Sequence, residues 1–194
     1  MVSEKTDNPT DARATSKARP ERSRGQRRAT NCPVAVVMGS DSDMQVMQGC
    51  ADTLSDFGIR PVVRIISAHR TPQIAAEFAK NAAKNGIKVI IAGAGMAAHL
   101  AGALAAHTTL PVIGVPLVSA TGLKGVDALL STLQMPTGVP VATMAIGAAG
   151  AKNAALLAVR ILALSDSSLG DKLADFKNAQ QKKVIEKDNL QREP

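Results

Sequence analysis

Five short, largely apolar runs, each followed by a stretch of helical composition, constrain this chain more than any other feature. The runs are Val34–Met38, Pro61–Ile66, Ile87–Ala92, Pro111–Val115 and Pro140–Met144. A run without alternation marks a strand covered on both faces. The helical segments between them are Asp43–Phe57, Pro72–Asn85, Ala97–His107 and Val126–Leu133, and a fifth at about Ala149–Leu164 follows the last run. Such alternation predicts a parallel sheet with helices on both faces. The expected fold is α/β, a three-layer sandwich around a flavodoxin-like, five-stranded parallel sheet. From Asp166 onward the chain reads as one more amphipathic helix (Leu169, Leu173, Phe176) fading into a charged tail.

The 194 residues then divide into a leader (1–31), an α/β domain (32–165), and a C-terminal helix with charged tail (166–194). The leader is polar and aperiodic, and is expected to be disordered. The chain is 45% hydrophobic but only 2% aromatic, so its core must be built from Ala, Val, Ile and Leu. Small side chains bury little area each, at about 25 cal/mol per Å², and burial in a homo-oligomer would supplement them. The segment Ala97–His107 has almost no polar face, which marks a buried helix and a candidate subunit contact.

The net charge of +7 suggests a nucleic-acid partner until it is divided along the chain. Residues 1–31 carry eight basic and four acidic groups, residues 32–165 nine and six, and residues 166–194 six of each. The excess is largely in the leader, with no interleaved aromatics and no nucleic-acid-binding motif beside it. It reads as a solvated tail, and no nucleic-acid partner is expected. Cys32 and Cys50 lie in no metal-ligand cluster and require no disulfide. There is no apolar signal-peptide core and no stretch fit to span a bilayer. Glu4, Asp7, Asp11 and Glu21 argue against an organelle transit peptide. A cytoplasmic protein without membrane contact is expected.

In an open parallel sheet, ligands bind beyond the carboxyl ends of the strands. The segments there are Gly39–Asp43 (GSDSD), Ser67–Pro72 (SAHRTP), Gly93–His99 (GAGMAAH) and Gly114–Pro116 (GVP). Gly39–Asp43 runs from a buried strand into a helix. Its hydroxyls and first helical N–H groups suit an anion, or it is a plain turn capped by Ser42 or Asp43. Arg70 is a fixed positive fork suited to phosphate, and Pro72 pre-sets the next helix. His69, whose side-chain type exchanges protons near neutral pH, stands beside Arg70 and is the candidate acid–base group. His99 either bonds a ligand or holds its loop. His107 reads as structural.

The runs VAVVMGSDSD (Val34–Asp43), SAHRTP, AGAGMAAHLAG (Ala92–Gly102), PVIGVP (Pro111–Pro116) and DALLSTLQMPTGVPVATMAIGAAGAKNAALLAVRIL (Asp127–Leu162) closely resemble the PurE family. The resemblance covers about Val34 to Leu164, in order and at nearly unchanged spacing. It implies the three-layer fold, an octamer, and one of two chemistries. The first is a mutase reaction of purine (IMP) biosynthesis, moving a carboxyl group from an exocyclic nitrogen to ring carbon 4 of an aminoimidazole ribonucleotide. The second is direct carboxylation with carbon dioxide. Arg70 after His69 and the run Gln134–Pro136 resemble the mutase branch. Carried over by position, the resemblance implies that Ser40, Ser42, Asp43, Ser67 and Arg70 hold the ribose phosphate. Ala94, Gly95, His99 and Leu100 would line the base and carboxylate pocket, and His69 would be the catalyst. No metal or organic cofactor is implied. Three departures stand out: Ala101 where the family usually has Pro, Met96 where a smaller residue is common, and a Leu117–Lys124 stretch one residue longer than in many relatives. The competing expectations are the direct carboxylase, a non-catalytic nucleotide- or flavin-binding module, and a nucleic-acid partner working through the leader.

Overall fold

The computed structural model describes residues 32–192, so the leader at 1–31 lies outside the described residues. Five parallel strands, β1 (Val34–Met38), β2 (Val62–Ile65), β3 (Val89–Gly95), β4 (Val112–Leu117) and β5 (Ala142–Thr143), are ordered β2-β1-β3-β4-β5. That order is the flavodoxin-like one, with its topological switch between β1 and β3. All five residues of β1 are fully buried, as an unalternating run requires. Val34 pairs with Val89 and Met38 with Gly93, so the starts of β1 and β3 are level and β3 runs two residues beyond the end of β1.

Helices cover the two faces. On one, α1 (Met44–Asp56) packs against α5 (Ala148–Ala163). Met47, Cys50, Ala51 and Leu54 of α1 recur at helical spacing and are buried together with Ala151, Ala154, Ala155 and Ala158 of α5. Alanine at the contact lets the two helices approach closely, which is how a core nearly free of aromatics is filled. Burial pushes the Cys50 thiol up to about 12, so it is an inert part of this layer. On the other face, α2 (Pro72–Ala82) and α3 (Leu100–Ala105) bury Ala75, Ala79, Leu100 and Leu104. The helix α4 (Val126–Leu133) lies beside β4 and β5.

Three elements differ from expectation. β2 is an edge strand, and Val63 and Ile65 on it are 40% and 51% exposed. The apolar run that reads as a doubly covered strand is covered on one side only, because hydrophobicity does not distinguish a central strand from an edge. The helix expected over Ala97–His107 contracts to Leu100–Ala105, since Ala97 and Ala98 belong to the loop that leaves β3. Leu100, Ala101 and Leu104 bury themselves within the subunit rather than facing outward. The charged tail is helical: α6 runs from Ser167 to Arg192. It docks through buried Leu169, through Phe176 with its ring 5.7 Å from that of Phe57, and through Lys172, which donates to the Phe57 carbonyl at 3.0 Å. Beyond that anchor it consists mostly of good helix formers such as Gln, Lys and Glu. No helix among the described residues is long and apolar enough to cross a membrane.

Candidate active site

The carboxyl ends of β1, β2, β3 and β4 open into one cavity of about 800 Å³, within the usual range for small-molecule sites of roughly 300–1,000 Å³. All ten residues singled out from the sequence line it: Ser40, Ser42, Asp43, Ser67, His69, Arg70, Ala94, Gly95, His99 and Leu100. The sheet positions them. With β2 and β3 on either side of β1, the ends of the three strands place three successive loops around the switch point.

After β1 the chain makes a single tight turn, Asp41–Asp43, before α1. The cap is not Ser42 or Asp43 alone, as the plain-turn reading has it, but a reciprocal pair. Ser42 N–H donates to Ser40 Oγ at 3.4 Å, and Ser40 N–H donates to Asp43 Oδ2 at 3.0 Å, forming a capping box. Asp41 completes the loop by accepting from Ser40 Oγ at 2.9 Å and from Ser42 N–H at 3.0 Å. The two carboxylates differ in character. The Ser40 hydroxyl and nearby backbone N–H groups hold Asp41 below the usual carboxylate range. Partial burial pushes Asp43 above it, against the backbone donors of Ser40 and Gly39. A Cβ at Gly39 would meet only ordinary contacts, such as Asp43 Oδ2 at 3.7 Å. The chain's own packing therefore does not demand this glycine, and its missing side chain leaves cavity space.

After β2, Ser67 organises the turn into α2. Its N–H donates to Thr71 Oγ1 at 3.1 Å, and Thr71 Oγ1 donates back to the Ser67 carbonyl at 2.9 Å. Its hydroxyl accepts from Arg70 N–H at 3.1 Å. Pro72 begins α2 as expected. The Arg70 guanidinium reaches across to the first loop, donating from Nη2 to the Gly39 carbonyl at 3.1 Å. One fork of a fixed cation thus ties the two loops together, leaving donors for an anion in the cavity.

His69 and His99, thirty residues apart, meet edge-on. Nε2 of His69 lies 2.9 Å from Nδ1 of His99, with ring centroids 5.0 Å apart and planes at 78°. For this contact to be a hydrogen bond, one facing nitrogen carries a proton and the other is bare. His99 therefore orients His69, a role beyond the two that its position in the sequence left open. Each ring has a second nitrogen that the other ring does not use.

The opposite wall is apolar, made by Ala94, Gly95, Met96, Ala97 and Leu100 after β3, and by Val118, Ser119 and Ala120 after β4. Sequence reasoning missed the last three, because it ended the fourth strand at Val115 and placed its loop at Gly114–Pro116. The strand runs to Leu117, so Gly114–Pro116 are buried within it and the loop begins two residues later. The pairing of Gly95 with Leu117 brings that loop to the site. A Cβ on Gly95 would sit 3.3 Å from the Leu117 carbonyl oxygen, so a small residue is favoured at this crossing. No group of three or more His, Cys, Asp or Glu among the described residues could hold a metal ion.

The geometry has relatives. Residues 33–183 match the family model described as AIR carboxylase. The chain belongs to the AIR carboxylase family. Over 154 residues it is 55% identical to the N5-carboxyaminoimidazole ribonucleotide mutase of Brucella melitensis, covering 79% of this chain and 94% of that relative. The enzyme of the same name from Escherichia coli is 53% identical over 153 residues, covering 79% and 90%. The one from Saccharolobus solfataricus is 54% identical over 152 residues, covering 78% and 94%. Among solved structures, Treponema denticola PurE superposes with a TM-score of 0.74 at 33% identity, covering 82% of this chain and 98% of that one. As a member of the AIR carboxylase family, the chain shares its family's α/β sheet with helices on both sides.

Proposed function

We propose that this chain is an N5-carboxyaminoimidazole ribonucleotide mutase, an isomerase that moves the carboxyl group from the exocyclic nitrogen to ring carbon 4. The observation that carries this reading is identity of 53% to 55% with relatives of that name over at least nine-tenths of their length. The cavity provides what the chemistry requires. Arg70 and the hydroxyls of Ser40, Ser42 and Ser67 receive the ribose phosphate, and the Asp43 carboxylate accepts from sugar hydroxyls. Ala94, Gly95, His99 and Leu100 receive the base and the migrating carboxyl group.

Protonated His69, held by His99, donates to the exocyclic nitrogen of the carbamate. The N–C bond breaks, its electron pair stays on nitrogen, and neutral carbon dioxide is released into the cavity. The aminoimidazole formed is an enamine, and the electron pair at carbon 4 attacks the carbon dioxide. His69 then takes the proton from carbon 4, which restores the aromatic ring and the charge on the imidazole. Positioned proton transfer contributes about 10²–10⁴-fold, and holding carbon dioxide beside its acceptor supplies a further advantage of proximity.

The test supplies purified protein with the carboxyamino nucleotide and follows the 4-carboxy product without added bicarbonate. Conversion is expected, and His69→Asn should reduce kcat by about 10²–10⁴-fold while the circular dichroism spectrum stays unchanged. Activity only on the uncarboxylated nucleotide with bicarbonate would overturn the mutase reading in favour of the carboxylase. The finer reading is a cytoplasmic homo-octamer without a nucleic-acid partner. Val126, Leu130 and Leu133 support assembly, since they form one exposed apolar stripe along α4 and are 48%, 51% and 56% exposed in the single subunit. Light scattering on the purified protein tests it, and a monomer would overturn it.

A further inference from the structure

Met96 stands out in the lining of the cavity. It follows β3 with a φ of 54°, the left-handed region, which is costly for a residue with a side chain. Its side chain lines the cavity yet is 49% exposed, so core burial does not offset that cost. Val118, on the loop after β4, also lines the cavity and is 59% exposed. The Met96 sulfur lies 3.9 Å from Thr121 Oγ1 of that same loop, so the side chain reaches from one loop toward the other. Backbone strain that packing does not explain, at a functional cavity, points to a role in function.

We propose that Met96 is a retention residue, whose side chain narrows the mouth and keeps released carbon dioxide beside the aminoimidazole until recapture. This inference rests on the mutase reading. Once the N–C bond breaks, carbon dioxide carries no charge, so Arg70, Asp43 and the serine hydroxyls that hold the nucleotide have no grip on it. Only walls retain it. Ala94, Ala97 and Leu100 line the cavity on the β3 side and Val118 on the β4 side, and the Met96 side chain reaches from the first loop toward the second. An unbranched thioether fits the task, because it can swing aside to admit a nucleotide and fall back to occupy the opening. Met96 is thus a positioning residue for the second half of the reaction, with no part in the proton transfers.

Label retention provides the test. The nucleotide carries ¹³C in its carboxyl group, the buffer holds unlabelled bicarbonate with carbonic anhydrase, and mass spectrometry gives the ¹³C fraction of the 4-carboxy product. The readout is label per product formed, which a change in rate or affinity alone does not move. Wild-type protein is expected to retain the label. Met96→Gly, which removes the side chain and suits the left-handed backbone, is expected to lose it several-fold more often per turnover. Met96→Gln, of similar length and unbranched, is expected to retain it. Equal retention by the wild type and Met96→Gly, or equal leakage by the Gln and Gly variants, would overturn the role of Met96 alone. No conversion of the carboxyamino nucleotide by the wild type would overturn the mutase reading, and this inference with it.

Discussion

The two walls of the cavity are built on opposite principles. The wall after β1 and β2 is polar and tied to itself: a capping box joins Ser40 and Asp43, the Ser67 hydroxyl holds the Arg70 backbone, and Arg70 holds the Gly39 carbonyl. The wall after β3 and β4 is small and apolar, and it carries the strained Met96. His69 comes from the first and His99 from the second, and their contact is the seam. Under the proposed function, the difference separates two tasks. Binding a charged nucleotide needs donors already aimed and immobilised, whereas guiding a neutral gas needs shape alone.

Arg70→Ala should have the largest effect on the polar wall. It removes the cation and the tie to Gly39 together, and hydrogen bonds to charged groups are worth about 1.5–3 kcal/mol. KM for the nucleotide should rise at least tenfold, or about 1.4 kcal/mol, with a smaller rise for Arg70→Lys. An unchanged KM in steady-state kinetics would mean that this wall does not grip the phosphate. On the apolar side, Gly93→Ala places a Cβ 2.5 Å from the Met47 sulfur. Overpacking costs about 1–3 kcal/mol, and the flexible Met47 points to the lower end, read as a drop in Tm.

A finer comparison lies within the polar wall. Asp41 sits below the ordinary aspartate value of 3.8, so it adds stability above pH 3.8 that is lost as pH falls through its lower folded value. Asp43 sits above 3.8, so ionising it in the folded protein costs stability, and that cost is relieved as pH falls through its raised folded value. Melting curves taken from below pH 3.8 up to neutrality should therefore diverge. Relative to wild type, Asp41→Asn should become less stable as pH rises, and Asp43→Asn more stable. Parallel curves would show that the two carboxylates are equivalent. The smallest effect belongs outside the site. Asp188 and Arg192 pair at 2.7 Å on the exposed end of α6, and Asp188→Ala should change stability by no more than about 0.5 kcal/mol in urea unfolding.

Much of the polar wall was legible in the sequence because its contacts are local. Ser40 with Asp43 and Ser67 with Arg70 are three residues apart, and Ser67 with Thr71 four, spacings that a turn entering a helix brings together. The apolar wall was less legible. Alanines and glycines of the site have the same composition as those of the core, so Ala94 and Leu100 were reached through family resemblance, while Val118, Ser119 and Ala120 were missed. A strand end placed two residues early was enough to hide that loop.

By itself, the sequence determined the α/β alternation and the parallel sheet, because unalternating apolar runs and intervening helical segments admit few other layered packings. It also determined which strand-end loops carry polar and titratable groups, because strand ends follow from where those runs stop. Only the tertiary structure decided that β2 is an edge with Val63 and Ile65 uncovered, that Arg70 reaches Gly39, that His69 meets His99, and that the Met96 sulfur approaches Thr121. Those outcomes depend on strand order and register, which bring together residues about 20 to 30 positions apart. No local pattern of hydrophobicity encodes that distance.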